Sequence, residues 1–242
     1  MKYSFYSTAG RIKAVNEDAL LLQVAICGSS VRGMVAVCDG VSSLSNSSRT
    51  SAFVIRQLHI LFERWKKHSI QPQCELLKIH RQLYEKGQRD HRRYGTTCSL
   101  FLFEDDAYDI YHIGDSRIYL MQDKLSLLTV DQTLAQMKYD RRIISFAEYT
   151  HSDERHVLTQ CLGISTPLQM VHFQGKWNES DAVFVCSDGI SNALDEAILQ
   201  EYVRRFLHAK QQGQAKAMAH KAMAKGERDN LSAVLFTRGD GL

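Results

Sequence analysis

The amino-acid sequence predicts an α+β fold, a four-layer α-β-β-α sandwich of two mainly antiparallel sheets packed face to face with helix pairs outside. Three observations carry this expectation. Strand-like and helix-like segments come in blocks (strands, two helices, strands, two helices, a last strand), unlike the alternation of a parallel βαβ sheet. The strand-like runs are short and joined by tight polar turns, as antiparallel neighbours are. Each helix-like segment carries one apolar stripe and so covers a sheet with one face only. With 242 residues, two prolines and no linker-like stretch, the chain is expected to form one domain, 1–242.

In chain order, residues 3–8, 19–26 and 31–38 read as strands, rich in aromatic, branched and Leu residues and punctuated by Gly10, Gly28 and Gly33. Val54, Leu58, Leu61 and Trp65, then Leu76, Ile79 and Leu83, recur at helical spacing. Thr97 to Leu128 reads as a four-stranded antiparallel meander with turns at Glu104-Asp105-Asp106, Gly114-Asp115 and Gln122-Asp123. Residues 133–160 are mixed and helical in part. Strands at about 169–174 and 182–187 precede a helix from about 193 to 209. A second helix, marked by Ala215, Met218, Ala219 and Ala222, leads to a last strand from Leu231 to Thr237.

Composition removes several classes. The content of 44% hydrophobic and 24% charged residues is that of a chain with a real core. Apolar runs such as Ser99 to Phe103 are too short to cross a bilayer, and Met1-Lys2-Tyr3-Ser4 does not start a signal peptide; no membrane partner and a cytoplasmic location are expected. Six cysteines show neither CxxC nor zinc-like spacing, so small buried hydrophobes are expected rather than disulfides. Residues 46–93 hold 11 Lys/Arg against 4 Asp/Glu, yet no aromatic-interleaved basic motif accompanies them, and no nucleic-acid partner is expected.

Four acidic signatures are the most informative feature: Asn16-Glu17-Asp18, Asp39-Gly40, Ser187-Asp188-Gly189 and Asp229-Asn230. Val35 to Cys38 runs straight into Asp39, and Val183 to Cys186 leads into Ser187-Asp188. Any one Asp-Gly pair reads as an ordinary turn. Together, carboxylates at strand ends can converge on Mg²⁺ or Mn²⁺, hard cations that prefer oxygen ligands.

The order of motifs resembles the metal-dependent serine/threonine protein phosphatases of the 2C family, in its bacterial branch. The matching stretches are GRIKAVNED (10–18), VCDG (37–40), GTT (95–97), GDSRIYL (114–120), LTVDQT (128–133), LTQCLG (158–163), VCSDG (185–189) and RDN (228–230). The resemblance implies a single catalytic domain and a binuclear Mn²⁺ or Mg²⁺ centre that hydrolyses phosphoserine and phosphothreonine by direct attack of a metal-bridging water. It implies that Asp39 bridges both ions, that the Gly40 carbonyl adds a ligand, that Asp188 and Asp229 hold one ion, and that Glu17 reaches the other mostly through water. Asp115 would sit near a third, weaker metal position, with a turn role as the alternative. Asp18 and Asn230 would support the ligands, and Arg117 reads as structural. No Cys-x5-Arg nucleophile loop occurs anywhere.

Departures from the family pattern are equally specific. Lys13 stands where the family's phosphate-clamping Arg is usual, and it offers charge without a two-pronged grip. Val41 replaces a proposed acid histidine, Ser42-Ser43 a double glycine, Asn192 an acidic residue and Gln132-Thr133 a His-Ser pair. The implied partner is a phosphorylated protein substrate, opposing a Ser/Thr kinase, with the enzyme itself a monomer. The basic 46–93 segment reads as solvated outer helix faces or as a steering surface for an acidic phosphoprotein. The competing reading is a weak or inactive pseudophosphatase acting as a binding module; a metal-dependent nuclease or pyrophosphatase has no motif support.

Overall fold

The computed structural model describes residues 1–208 and 213–239. In chain order its first elements are β1 (Lys2–Thr8), β2 (Asp18–Cys27), β3 (Ser30–Asp39), α1 (Ser47–Trp65) and α2 (Pro72–Asp90). There follow β4 (Cys98–Glu104), β5 (Ala107–Ile113), β6 (Arg117–Met121), β7 (Leu125–Leu127), α3 (Leu134–Asp140), α4 (Phe146–His151) and a 3₁₀ turn at Asp153–His156. The chain closes with β8 (Val171–Lys176), β9 (Ala182–Cys186), α5 (Asp188–Ala193), α6 (Glu196–His208), α7 (Gln214–Ala224) and β10 (Leu231–Thr237).

Two five-stranded sheets, ordered β1-β10-β9-β6-β7 and β2-β3-β4-β5-β8, are antiparallel at every pairing among the described residues. Their facing sides bury Val35, Val37, Phe101 and Phe103 against Val183, Val185, Val234 and Phe236, with Trp177 between. Val54, Leu58, Leu76 and Leu83 of α1 and α2 cover Met34, Ala36, Leu100 and Leu102. Leu199, Val203, Phe206 and Met218 of α6 and α7 cover Phe184, Ala233 and Leu235. Alternate residues of β3 thus enter different cores, so a central strand buried on both sides reads as a continuous apolar run. The expected four-layer sandwich is what forms, and no described helix is long and apolar enough to cross a membrane.

Three local expectations change. The 97–128 segment is not one meander: β4 and β5 lie in one sheet, β6 and β7 in the other. The chain changes sheets at Gly114, whose φ of +106° is costly for any side chain, and where a Cβ would stand 2.6 Å from Thr97 Cγ2. Second, a six-residue helix, α5, starts on Asp188, ahead of the expected helix; that helix runs from Glu196 to His208, and its expected last residue, 209, lies outside the described residues. Third, the strand expected at 169–174 occupies Val171–Lys176, where it pairs with β5.

Arg117 anchors β6. Its Nη2 and Nε donate to the two Asp131 carboxylate oxygens at 2.7 and 2.9 Å, and the two side chains are only 14% and 10% exposed. Removing one partner of a buried, two-pronged pair strands the other's charge. We expect Asp131→Ala to lower unfolding stability by about 3–5 kcal/mol, read by urea titration; a loss below about 1 kcal/mol would place the pair among dispensable surface bridges.

Candidate active site

The two sheets deliver their acidic strand ends to one rim. Asp39 closes β3 and stands in register with Asp18, the first residue of β2. In the other sheet Cys186 is paired with Ala233, so Asp188, just past β9, and Asp229, just before β10, approach from adjacent strands. That approach is close: a Cβ on Gly189 would lie 2.2 Å from the Asn230 carbonyl oxygen. Asp115 arrives from the sheet-changing turn. Lys13, Asp39, Gly40, Asp115, Asp188 and Asp229 line one cleft of about 330 Å³, while Glu17, Asp18 and Asn230 stand behind its wall. A larger cavity of about 510 Å³ beside Trp65 and Pro72 gathers none of the motif residues, so the chemistry and not the volume identifies the site.

Hydroxyls and amides hold the acids in place. Ser47 donates to Glu17 Oε1 and Ser42 donates to Oε2 at 2.5 Å. Asn230 accepts from the Glu17 backbone N–H at 2.9 Å and donates to the Val15 carbonyl at 3.1 Å, tying the first and last motifs together. Thr97 Oγ1 accepts from the Asp39 N–H at 2.8 Å, and Ser187 donates to Asp18 Oδ2 at 2.8 Å. Lys13 Nζ lies 3.2 Å from Glu17 Oε2 and 3.1 Å from Asp229 Oδ1, and donates to Ser42 Oγ at 2.6 Å. Burial alone would depress the Lys13 ammonium, but Asp229 and Glu17 outweigh it and hold its pKa above the usual value. Burial would likewise raise Glu17, and its bonds from Ser42, Ser47 and Lys13 bring it below the usual range.

Three of the other acids, Asp18, Asp39 and Asp115, show the opposite strain. Burial, then the charges of Asp18, Asp188, Asp115 and Asp229, push Asp39 well above the carboxylate range. Burial and Asp188 do the same to Asp115, and burial brings Asp18 to about 7. Asp18 Oδ1 and Asp188 Oδ1 are buried without a hydrogen-bond partner. Among the described residues no three Asp, Glu, His or Cys side chains already close on a common point. The all-oxygen donors, their mutual repulsion and the two orphaned oxygens nonetheless fit divalent hard cations, which would neutralise the cluster.

Sequence reasoning missed His156. It lies on the 3₁₀ turn in a stretch with no clear periodicity, yet it lines the cleft with Nδ1 3.8 Å from Asp188 Oδ2, and that carboxylate raises its pKa. Asn192, one turn of helix beyond Asp188, donates to Asp188 Oδ2 at 3.3 Å and accepts from Arg155 at 3.0 Å. Gln132 accepts from the Gly114 N–H at 2.8 Å, so it braces the sheet-changing turn instead of facing the cleft. Val41 and Ser42 line the cleft wall.

Comparison with known proteins shows the family and the fold. The protein phosphatase 2C family model matches residues 10–225. Serine/threonine phosphatase stp of Listeria innocua is 26% identical over 252 residues, covering 98% of this chain and 96% of that protein. The crystal structure of the Mycobacterium tuberculosis serine/threonine phosphatase PstP/Ppp superposes with a TM-score of 0.84 at 22% identity, covering 98% of both chains. The PstP catalytic domain in complex with two manganese ions superposes with a TM-score of 0.79 at 22% identity, covering 97% of this chain and 96% of that one.

Proposed function

The chain belongs to the protein phosphatase 2C family, and from that premise we propose that it is a Mn²⁺- or Mg²⁺-dependent phosphatase hydrolysing phosphoserine and phosphothreonine in proteins. The observation that carries this reading is the cleft shared by Asp39, Asp115, Asp188 and Asp229, contributed by both sheets, with Lys13 at its edge. In this reading Asp39, the Gly40 carbonyl, Asp188 and Asp229 would hold the ions, and Glu17 would support them from behind the cleft wall. Asp115 offers a third, weaker position. Asp18 and Asn230 orient these groups through Ser187 and the Glu17 backbone. Bound divalent ions would polarise the phosphate and activate water for in-line attack. The chain's own work is to present Asp39, Asp115, Asp188 and Asp229 on one cleft, to hold the phosphate beside Lys13, and to leave the mouth open at Asp229, whose side chain is 40% exposed. An enzyme of this kind would oppose a Ser/Thr kinase. Assays of a phosphothreonine peptide, p-nitrophenyl phosphate and plasmid DNA, side by side with Mn²⁺, test the reading; cleavage of DNA alone, or of none of the three, would sink it.

Lys13 is proposed to meet the substrate phosphate. Its ammonium sits at the cleft edge on flexible methylenes, held by exchangeable contacts to Glu17, Asp229 and Ser42. Where water is partly excluded, a cation beside a dianion counts for more than it does at the surface. Lys13→Ala is expected to raise KM and the inhibitory concentration of free phosphate by about tenfold, one charge-assisted hydrogen bond, with Lys13→Arg retaining or improving kcat/KM. Unchanged kcat/KM and phosphate inhibition in Lys13→Ala would reduce Lys13 to a tether of Glu17 and Asp229.

A further inference from the structure

A second cavity, of about 640 Å³, opens directly from the catalytic cleft; Val41, Ser43, His156 and Leu158 line both. Beyond these shared residues its walls are apolar at Leu44, Ile164 and Pro167, and Arg93 stands on one side. The guanidinium of Arg93 is exposed, lies near the Cys161 thiol, and makes no ion pair among the described residues. That is unlike Arg64, Lys66, Lys78 and Lys86 of the same basic segment, each paired with a carboxylate. On the adjoining surface Arg49 and Arg56, also without ion pairs, flank a further cavity of about 490 Å³ beside Tyr94. The Ser45 N–H donates to the Arg93 carbonyl at 2.9 Å, which joins the two surfaces. Arg93 thus brings an unpaired guanidinium to the groove, with Arg49 and Arg56 on the next cavity.

Spacing relates the groove to the reacting phosphate. Thr97 lines the cleft and Arg93 lies four residues before it, at most about 14 Å of chain away. A substrate strand advancing roughly 3.3 Å per residue would bring the residues two to four positions from the phosphorylated one beneath Arg93.

We propose that this groove receives the polypeptide flanking the phosphorylated residue, and that Arg93 reads an acidic side chain there, so that acidic phosphoprotein sites are preferred. The inference rests on the phosphatase reading above. Its occupant follows from two features: continuity with the catalytic cleft, and an unpaired guanidinium on walls that mix apolar Leu44, Ile164 and Pro167 with hydrogen-bonding Thr159, Gln160 and Gln169, which suits a carboxylate-bearing strand.

The test compares phosphothreonine peptides that differ only in carrying Glu, Gln or Lys at the second to fourth positions on either side, with p-nitrophenyl phosphate in parallel. For the intact chain with Mn²⁺, the Glu peptide on one side is expected to exceed the Lys peptide in kcat/KM by about three- to tenfold, shrinking at high salt. Arg93→Gln should bring the ratio near one, and Arg93→Glu should invert it. A ratio near one in the unaltered chain, or the same ratio in both variants, overturns the inference. The first of these is read without any variant, so a variant that fails to fold leaves the test intact. Hydrolysis of p-nitrophenyl phosphate without peptide discrimination refutes this inference alone; no hydrolysis of any substrate refutes the phosphatase reading, and this inference with it.

Discussion

Asp39→Asn is expected to lower phosphatase turnover by on the order of 10²-fold or more, the scale of losing a principal electrostatic element of a catalytic site. The fold should survive. Asp39 is pushed towards its protonated form by burial and by four neighbouring acids, and an amide has nearly the shape and charge of that neutral carboxyl. The backbone bond from Asp39 N–H to Thr97 Oγ1 does not depend on the side chain. Unfolding midpoints in metal-free buffer should therefore nearly coincide for the two proteins, while their midpoints with Mn²⁺ separate. Asp188→Asn should behave alike, since it too removes a carboxylate from the cleft. Near-normal kinetics at saturating Mn²⁺ in both variants would mean that the proposed ion site lies elsewhere.

Chelation is expected to abolish hydrolysis, and added Mn²⁺ to restore it. The proposed ligands are oxygens throughout, with no thiol and no motif histidine to bind zinc tightly. A readout independent of turnover follows from linkage: at an ion concentration about 100 times Kd, binding adds about 2.7 kcal/mol of stability. For a chain of this size that is a rise in Tm of roughly 5–10 °C. Relief of repulsion among Asp18, Asp39, Asp115 and Asp188 supplies the physical source of this gain. Full activity in excess EDTA with the metal content shown to be zero, together with no thermal shift on adding Mn²⁺, would remove the ion from the mechanism.

Much of the architecture was legible in local signals. Strands β3 and β9 announce themselves as apolar runs because both of their faces are buried, and an Asp-Gly step at the end of such a run marks where a strand leaves the core. The helical stripes of α1, α2, α6 and α7 are read from spacing, since each helix buries one side. Less legible were elements whose length is below any period. Helix α5 has six residues, too few for an amphipathic repeat, and its Ser-Asp-Gly start reads equally well as a turn.

Sequence by itself determined the layer order, the strand ends that carry acids and the family to which the chain belongs, because these depend on local periodicity and on motifs fixed in order. The meeting of these ends was implied by the resemblance, and tertiary structure decided the path and contacts by which they meet. The turn at Gly114 reads the same whether the next strand stays in its sheet or crosses to the other, and crossing is what brings Asp115 to the rim. Whether Lys13 faces solvent or spans Glu17 and Asp229 depends on side-chain contacts with no sequence period. The same holds for His156 and Arg93, whose neighbours come from segments far apart in the chain. Contacts of that kind follow from how two sheets pack on each other, and pairwise proximity across a packed interface leaves no repeat in a single sequence to be read.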